Sequence, residues 1–198
     1  MKNDHRLPTS HMLAPIEAAT GPARFDAEAC FGHFRRRELA REEHWLRAGE
    51  VCRRLCFVER GLLRHSRVDE AGRRHTRWAT LTGQYGTCFP SFTRATPAED
   101  DIAAVEPAVV WELDRERWAE LRAAEPQLQA YWVATLEYLL TCFEDRVWSL
   151  ISGDAEARYR YMMERYPEFL LSLPQHYVAD LLGIGSRHLS RIRGHMSP

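Results

Sequence analysis

The spacing of apolar residues changes within the chain and divides it into two kinds of structure. From about Arg37 to Leu113, apolar residues alternate with polar ones in short runs separated by glycine turns. This period of two predicts antiparallel strands, and many strands without intervening helices predict a sandwich or barrel. From Asp114 onward, apolar residues recur every three or four positions, which predicts helices. The expected fold class is therefore α+β.

The stretch before the strands has no such periodicity at its start. Residues 1–24 contain three prolines and no repeating apolar pattern, so we predict a flexible N-terminal arm. Phe25 to about Arg36 is predicted to form a short helix, with Asp26 as its N-cap. This helix and the strands together form a predicted domain of residues 25–113.

One predicted helix, which follows Pro126, is much longer than the others. Its apolar stripe extends over about seven turns, which corresponds to a helix about 40 Å long. The stripe consists of Leu128, Trp132, Thr135 or Leu136, Leu139, Phe143, Val147 and Leu150. A β domain of this size cannot cover so long a stripe, so residues 114–152 are predicted to be a connector and dimerisation helix. In this prediction, Leu128 to Leu150 meets a second copy of the chain; the alternative is a helix packed lengthwise on its own domain.

The last part of the chain, residues 153–198, is predicted to be a helical domain. Within it, Pro174 to Arg193 has the spacing of a helix-turn-helix, in which the second helix can enter a DNA groove. Ala179 supplies the small residue where the helices cross, and Gly183 supplies a residue that tolerates positive φ in the turn. The apolar positions that would face inward are Val178, Leu182, Ile184, Leu189 and Ile192. The alternative is an ordinary pair of terminal helices.

The outer face of the second helix carries the candidate chemistry. Arg187 and Arg191 are four residues apart and therefore share a face. An arginine there can donate two hydrogen bonds to O6 and N7 of guanine in the major groove. At the start of the first helix, Gln175 and His176 are placed to contact phosphate. The candidate DNA contacts are Ser186, Arg187, Ser190, Arg191, Arg193, Gln175 and His176.

Composition limits the classes of function. The 198 residues have a net charge of −1 and are 45% apolar, which indicates an ordinary globular protein. No apolar run approaches the roughly 20 residues needed to cross a bilayer, and the start lacks a secretory signal, so we expect no membrane partner. The five cysteines are scattered and contain no Cys-x-x-Cys pair, which favours reduced thiols and a cytoplasmic location.

The sequence predicts no enzyme, metal site or cofactor. It contains no paired acid and base in a motif, no glycine-rich phosphate loop and no His-x-x-x-His spacing. Haem is not excluded, because a single histidine can serve as an axial ligand. The histidines in or near the strand region are His33, His44, His65 and His75.

From about Phe25 to Arg193 the chain resembles the Crp/Fnr family of bacterial transcription regulators. The resemblance is carried by LRAGEVCRRLCFVERGLLR (46–64), LTGQYG (81–86), RYRYMMERYPEFL (158–170) and the helix-turn-helix. It implies a cyclic-nucleotide-binding-like β-roll (a jelly roll), a dimerisation helix and binding of the C-terminal domain to double-stranded DNA. The chain is most similar to the compact branch, in which no wing follows the recognition helix. In this family, the positions of Ser186, Arg187 and Arg191 typically read bases.

The resemblance also implies an effector pocket, and here the chain departs from the family. Members that bind a cyclic nucleotide hold its ribose with Gly-Glu and its phosphate with Arg followed by Ser or Thr. An ungapped match places Thr87 and Cys88 at the first pair, and Ala98 and Glu99 at the second. A phosphate anion favours charged donors, so we expect no cAMP binding with regulatory affinity. An unidentified small-molecule effector remains open.

Two functions are compatible with this resemblance and with the missing phosphate ligands. The first is a DNA-binding transcription regulator whose β-roll lacks the usual cAMP phosphate ligands. The alternative is a cyclic-nucleotide-binding-like regulatory module whose tail contacts protein rather than DNA. The arginines on the outer face of the second helix favour DNA, whereas an acidic or apolar face would favour protein.

Overall fold

A computed structural model describes residues 7–196, which divide into two units. The first, here called the β unit, contains residues 7–64 and 80–135. The second, here called the C-terminal unit, contains residues 65–79 and 136–196. The predicted α+β class with antiparallel sheets is confirmed. The units do not follow the predicted domain boundaries, because a segment from the strand region belongs to the C-terminal unit.

The described part of the chain forms eight strands and nine helices. The strands are β1 (Arg35–Leu39), β2 (His44–Leu46), β3 (Arg54–Arg60), β4 (Leu63–Val68), β5 (Arg74–Thr80), β6 (Tyr85–Gly86), β7 (Asp101–Ala104) and β8 (Ala108–Asp114). The helices are α1 (Thr9–Thr20), α2 (Ala27–Phe31), α3 (Phe89–Arg94), α4 (Arg115–Ala124), α5 (Pro126–Ser152), α6 (Ala155–Arg165), α7 (Pro167–Ser172), α8 (Gln175–Leu181) and α9 (Ser186–Met196). The predicted N-cap Asp26 is confirmed, since it accepts the backbone N–H three residues on, and Asp154 caps α6 in the same way.

The strands form two four-stranded sheets, in the orders β1-β8-β3-β6 and β2-β7-β4-β5. In the first sheet, β8 pairs with both β1 and β3, and Cys56 lies opposite Glu112. Leu55 to Val58 in β3 are all buried, because both faces of this strand are covered. On one face, the indole N–H of Trp45 in β2 donates to Glu112 at 2.6 Å. On the other face, the ring of Phe57 packs on a second aromatic ring at 5.1 Å.

The predicted flexible arm is wrong for most of its length. Thr9–Thr20 forms α1, and its Met12 and Ile16 are completely buried in the core of the β unit. Two buried side chains four residues apart are too few to reveal a helix from periodicity, and Pro15 interrupts the pattern. Residues 1–6 of the predicted arm lie outside the described part of the chain.

The long helix is confirmed, but its predicted stripe does not face outward throughout. Within the β unit, Leu128 is completely buried and Trp132 packs on Phe89 at 5.5 Å between ring centroids. Within the C-terminal unit, Phe143 packs on Trp78 at 5.2 Å. Packing against its own chain therefore covers much of this stripe, as in the alternative considered from the sequence. Periodicity predicts a continuous apolar stripe, but it does not distinguish between a stripe covered by a second copy and one covered by the same chain.

Truncation of a single side chain tests whether α1 is part of the core. Met12→Ala should lower the free energy of unfolding by about 2–5 kcal/mol, because it removes most of a fully buried side chain. His11→Ala, at the exposed neighbouring position, should change it by less than about 0.5 kcal/mol. The measurement is urea unfolding followed by circular dichroism. Equal midpoints for the two variants would mean that α1 does not pack on the sheet.

Candidate nucleic-acid interface

The two helices of the predicted helix-turn-helix are α8 and α9, and their packing is local and tight. Ala179 is 1% exposed, which confirms that a small residue lies where the helices meet. Between the helices, Gly183 has φ of +67°, a conformation that side chains with a Cβ rarely adopt. Its N–H donates to the carbonyl of Asp180 at 3.0 Å. Four of the five predicted inward-facing residues are buried, and Ile184 in the turn is half-buried; the buried ones are Val178, Leu182, Leu189 and Ile192.

The outer face of α9 is polar and exposed. Because Leu189 and Ile192 fix the inner side of the helix, Arg187 and Arg191 lie exposed on the opposite side. Ser186 and Ser190 are exposed as well. Five of the seven predicted contacts lie on α9, and four of them are exposed, where side chains four residues apart are neighbours. This arrangement can present two guanidinium groups and two hydroxyl groups to a groove.

The first turn of α8 carries two more of the predicted residues. Gln175 and His176 are both exposed. The amide nitrogen Nε2 of Gln175 donates to the carbonyl of Ser186 at 3.3 Å, which joins the first turn of α8 to the start of α9. The ring of His176 packs on Tyr177 at 3.9 Å between centroids. The structure thus brings the two helix starts together.

Arg193 is oriented differently from the other predicted residues. It is half-buried, and its Nη2 donates to the carbonyl of Leu170 at 3.4 Å. Its guanidinium lies 5.7 Å from the ring centroid of Tyr159. The reason is its position four residues after Leu189, which places it near the inner side of α9. The structure therefore does not group Arg193 with the outward-facing candidates.

A half-buried arginine that the sequence did not indicate donates a hydrogen bond to the end of α8. Arg146 of α5 donates through Nη2 to the carbonyl of Leu181 at 3.0 Å and through Nη1 to the carbonyl of Arg77. Burial lowers the pKa of Arg146 to about 10, so the side chain remains charged near neutral pH. A cationic residue next to the apolar stripe of α5 is the only sequence signal for this role.

The β unit has little free space where the resemblance implies an effector. A cavity of about 10 Å³ lies between β6 and α5, which is about the space of a single water molecule. Aromatic rings fill the surroundings: Trp132 packs on Trp118 at 5.9 Å and on Phe92 at 6.0 Å. The guanidinium of Arg122 lies 5.0 Å from the ring centroid of Trp132. Side chains of the chain itself occupy this interior.

The four residues at the positions matched to the ribose and phosphate ligands provide no site for a phosphate. The hydroxyl of Thr87 donates to the carbonyl of Arg54 at 2.8 Å. Cys88 is buried at the start of α3, and Ala98 is buried through backbone hydrogen bonds to the loop after β2. Glu99 is exposed and carries a negative charge. None of these four side chains is a cationic donor.

A larger cavity, of about 380 Å³, lies at the ends of β1, β3 and β8. The nearly buried carboxylate of Glu112 reaches it and accepts from Arg54 at 2.6 Å and from Arg37 at 3.3 Å. Asp114 pairs with Arg35 at 3.3 Å. Two of the arginines around this cavity are thus paired with carboxylates across strands.

Two further observations concern cofactors and membranes. Among residues 7–196, no three His, Cys, Asp or Glu side chains are grouped so that they could hold a metal ion. Of the histidines considered for haem, His44 lies 3.8 Å from Asp101, and His75 lies 2.8 Å from Asp69. No helix in the described residues combines the length and the hydropathy that a membrane span requires.

Comparison with known proteins identifies solved structures that share this fold. No family model matches the chain, and no curated protein matches it either. Solved structures do match. FixK2 from Bradyrhizobium japonicum is 17% identical, with a TM-score of 0.69 over 82% of this chain and 84% of that one. A CooA mutant from Carboxydothermus hydrogenoformans is 15% identical, with a TM-score of 0.72 over 98% of this chain and 84% of that one.

The chain has the Crp/Fnr regulator fold. The catabolite activator protein of Thermus thermophilus, at 20% identity, matches with a TM-score of 0.53 over 92% of this chain and 86% of that one. Identities of 15–20% establish the fold, and the β-roll, long helix and helix-turn-helix predicted from the sequence are its parts. A shared fold does not determine the roles of individual residues, which depend on the geometry of each side chain.

Proposed function

We propose that this protein is a DNA-binding transcription regulator that acts in the cytoplasm. The observation that carries the proposal is the outer face of α9, where Arg187, Ser190 and Arg191 are exposed on a helix anchored from behind by buried leucine and isoleucine. A recognition helix of this kind enters the major groove and reads base edges with its outward side chains. A tail that contacted protein would be expected to present an acidic or apolar face instead.

Each exposed residue has a role in this proposal. Arg187 and Arg191 read guanine, because a guanidinium matches the O6 and N7 acceptors with two hydrogen bonds. Ser186 and Ser190 contact phosphate or base acceptors. At the start of α8, Gln175 and His176 contact the phosphate backbone and set the register of the helix. Arg193 holds α9 against α6 and α7, so in this proposal it does not contact bases.

We also propose that the protein binds DNA as a homodimer formed through α5. One face of this helix remains apolar and exposed: Val133, Leu136, Leu140, Val147 and Ile151. The first four positions are spaced by three, four and seven residues, as in the heptad of a coiled-coil seam, and Ile151 flanks them. Leu140 is 62% exposed and Ile151 is 75% exposed, so a second copy of the helix would remove a large apolar surface from water. Two copies would read half-sites about one helical turn apart.

The β unit, in this proposal, does not take cAMP as its effector. The positions that hold phosphate in the family lack a cationic donor, and rings such as those of Trp118 and Trp132 fill the neighbouring interior. A cyclic phosphate leaving water would find no charged fork to replace its hydration. An effector of another kind remains open.

The first prediction concerns base reading. Arg191→Ala should weaken binding to a cognate duplex, selected from a random-sequence library, by about 1–3 kcal/mol, and should weaken binding to random duplexes much less. Arg160→Ala is the matched control, because Arg160 is exposed on α6 and pairs with Glu156 at 2.8 Å. The measurement is fluorescence anisotropy at fixed salt concentration. Equal losses on both kinds of duplex would exclude base reading by Arg191, and a wild-type protein that binds no duplex would overturn the proposed function.

The second prediction concerns the dimer. Leu140→Glu should convert the protein from dimer to monomer, because it places a charge in the apolar seam. Leu171→Glu is the control, since Leu171 on α7 is 70% exposed and lies outside α5. Sedimentation velocity measures the oligomeric state of each variant. A wild-type monomer at micromolar concentration, or a dimer retained in Leu140→Glu, would contradict the seam.

The third prediction concerns the effector. Isothermal titration with cAMP should show no binding in the low-micromolar range, for the reasons of charge and space given above. Trp132→Ala should also fail to bind, because it opens space without adding a phosphate ligand. A low-micromolar dissociation constant for the wild type would overturn this part of the proposal.

A further inference from the structure

A histidine in the C-terminal unit lies between two carboxylates from different elements. In β5, Nε2 of His75 lies 2.8 Å from Asp69 and Nδ1 lies 3.3 Å from Asp180. Asp69 belongs to the turn between β4 and β5, whereas Asp180 belongs to the last turn of α8. An imidazole can donate from both ring nitrogens only when it is protonated. The arrangement therefore favours the imidazolium form of His75.

The same aspartate contacts the hairpin at a second point and also accepts a hydrogen bond within the helix-turn-helix. The second carboxylate oxygen of Asp180 accepts the backbone N–H of Thr76. The carbonyl of Asp180 accepts the N–H of Gly183 in the turn that leads into α9. Asp180 therefore binds residues 65–79, here called the hairpin segment, and also stabilises the turn at Gly183.

The remaining charged groups around this contact keep their charge near neutral pH. Asp69 also pairs with Arg73 at 3.0 Å, and its hydrogen bonds hold the pKa of its carboxyl far below the usual range. From α5, Arg146 donates to the carbonyl of Arg77, and its pKa of about 10 keeps it cationic. Arg77 of β5 and Asp180 face Arg146 as well, and among these groups His75 is the one whose side chain ordinarily titrates near neutral pH.

Apolar packing in the same place does not titrate. The ring of Trp78 lies 4.5 Å from Phe169 of α7 and 5.2 Å from Phe143 of α5. This packing keeps the base of the hairpin segment in contact when His75 loses its proton. The contact at His75 and Thr76 can therefore open without unfolding the C-terminal unit.

We propose that His75 and Asp180 form a proton-sensitive latch that fastens the hairpin segment to α8 and stabilises the DNA-binding form of the helix-turn-helix. The effect on DNA rests on the proposed function, whereas the latch itself does not. In the latched arrangement Arg187 and Arg191 are exposed, so the latched form presents both guanidinium groups to a groove.

The direction of the pH dependence follows from the two carboxylates. They raise the pKa of His75 above its ordinary value, chiefly through the hydrogen bond to Asp69. A group whose pKa is raised on folding stabilises the folded form fully below its unfolded pKa of about 6.5. That contribution is lost as pH rises through the folded pKa. The latch is therefore closed at pH 6 and weakened at high pH.

The first experiment tests the latch without DNA. In the wild type, an NMR titration of ring-labelled histidine should give His75 a pKa above about 6.5, and Asp180→Asn should lower it. Glu70→Gln is the matched control, because it removes one exposed carboxylate from the same turn. Hydrogen exchange of the hairpin segment, corrected for intrinsic rates, should be faster at pH 8.5 than at pH 6 in the wild type. An unchanged His75 pKa in Asp180→Asn, or equal corrected exchange at both pH values, would overturn the latch.

The second experiment tests its effect on DNA. The ratio of DNA affinity at pH 6 to that at pH 8.5 should be about fivefold larger in the wild type than in His75→Gln, a modest coupling between two sites. His176 and His188 are present in both proteins, so their own protonation contributes equally to both ratios. Equal ratios would overturn the link between latch and DNA. If His75 titrates as expected but the wild type binds no duplex at either pH, the latch stands and the proposed function fails.

Discussion

The structure depends on how the long helix α5 distributes its apolar surface. Leu128 and Trp132 enter the core of the β unit, while Phe143 and the half-buried Arg146 hold elements of the C-terminal unit. A further apolar face, which includes Leu140, stays in contact with water. Burial of one large apolar side chain contributes about 1.5–3 kcal/mol, so several such residues on one helix strongly favour an apolar partner. The same helix that contributes to the core of each unit thus also leaves an apolar face exposed.

The β unit uses its interior for its own side chains. Aromatic rings around Trp132 leave a cavity of only about 10 Å³ beside β6, and Glu112 is paired with Arg54 and Arg37 at the edge of the larger cavity. This packing stabilises the unit without a ligand. Control of DNA binding would then depend on groups elsewhere, and the contact between His75 and Asp180 provides such a group next to the turn before α9.

Two arginines on α9 illustrate how strongly the direction of a side chain decides its role. Arg191 and Arg193 are two residues apart and chemically identical, yet the first is exposed and the second packs on Tyr159 and Leu170. Successive positions on a helix are rotated by about 100°, so residues two apart point in very different directions. Spacing identified the pair Arg187 and Arg191 correctly as a shared face, but the proximity of Arg193 to them in the sequence was misleading.

The sequence by itself determined the features that depend on local spacing. These are the change from period two to helical period, the length of α5, and the small residue and glycine at Ala179 and Gly183. Only the tertiary structure decided which apolar face of α5 is covered, that Met12 belongs to a core helix, and that His75 meets Asp180. The physical reason is that periodicity records which residues share a face, whereas burial and charge pairing depend on which distant segment the fold brings against that face.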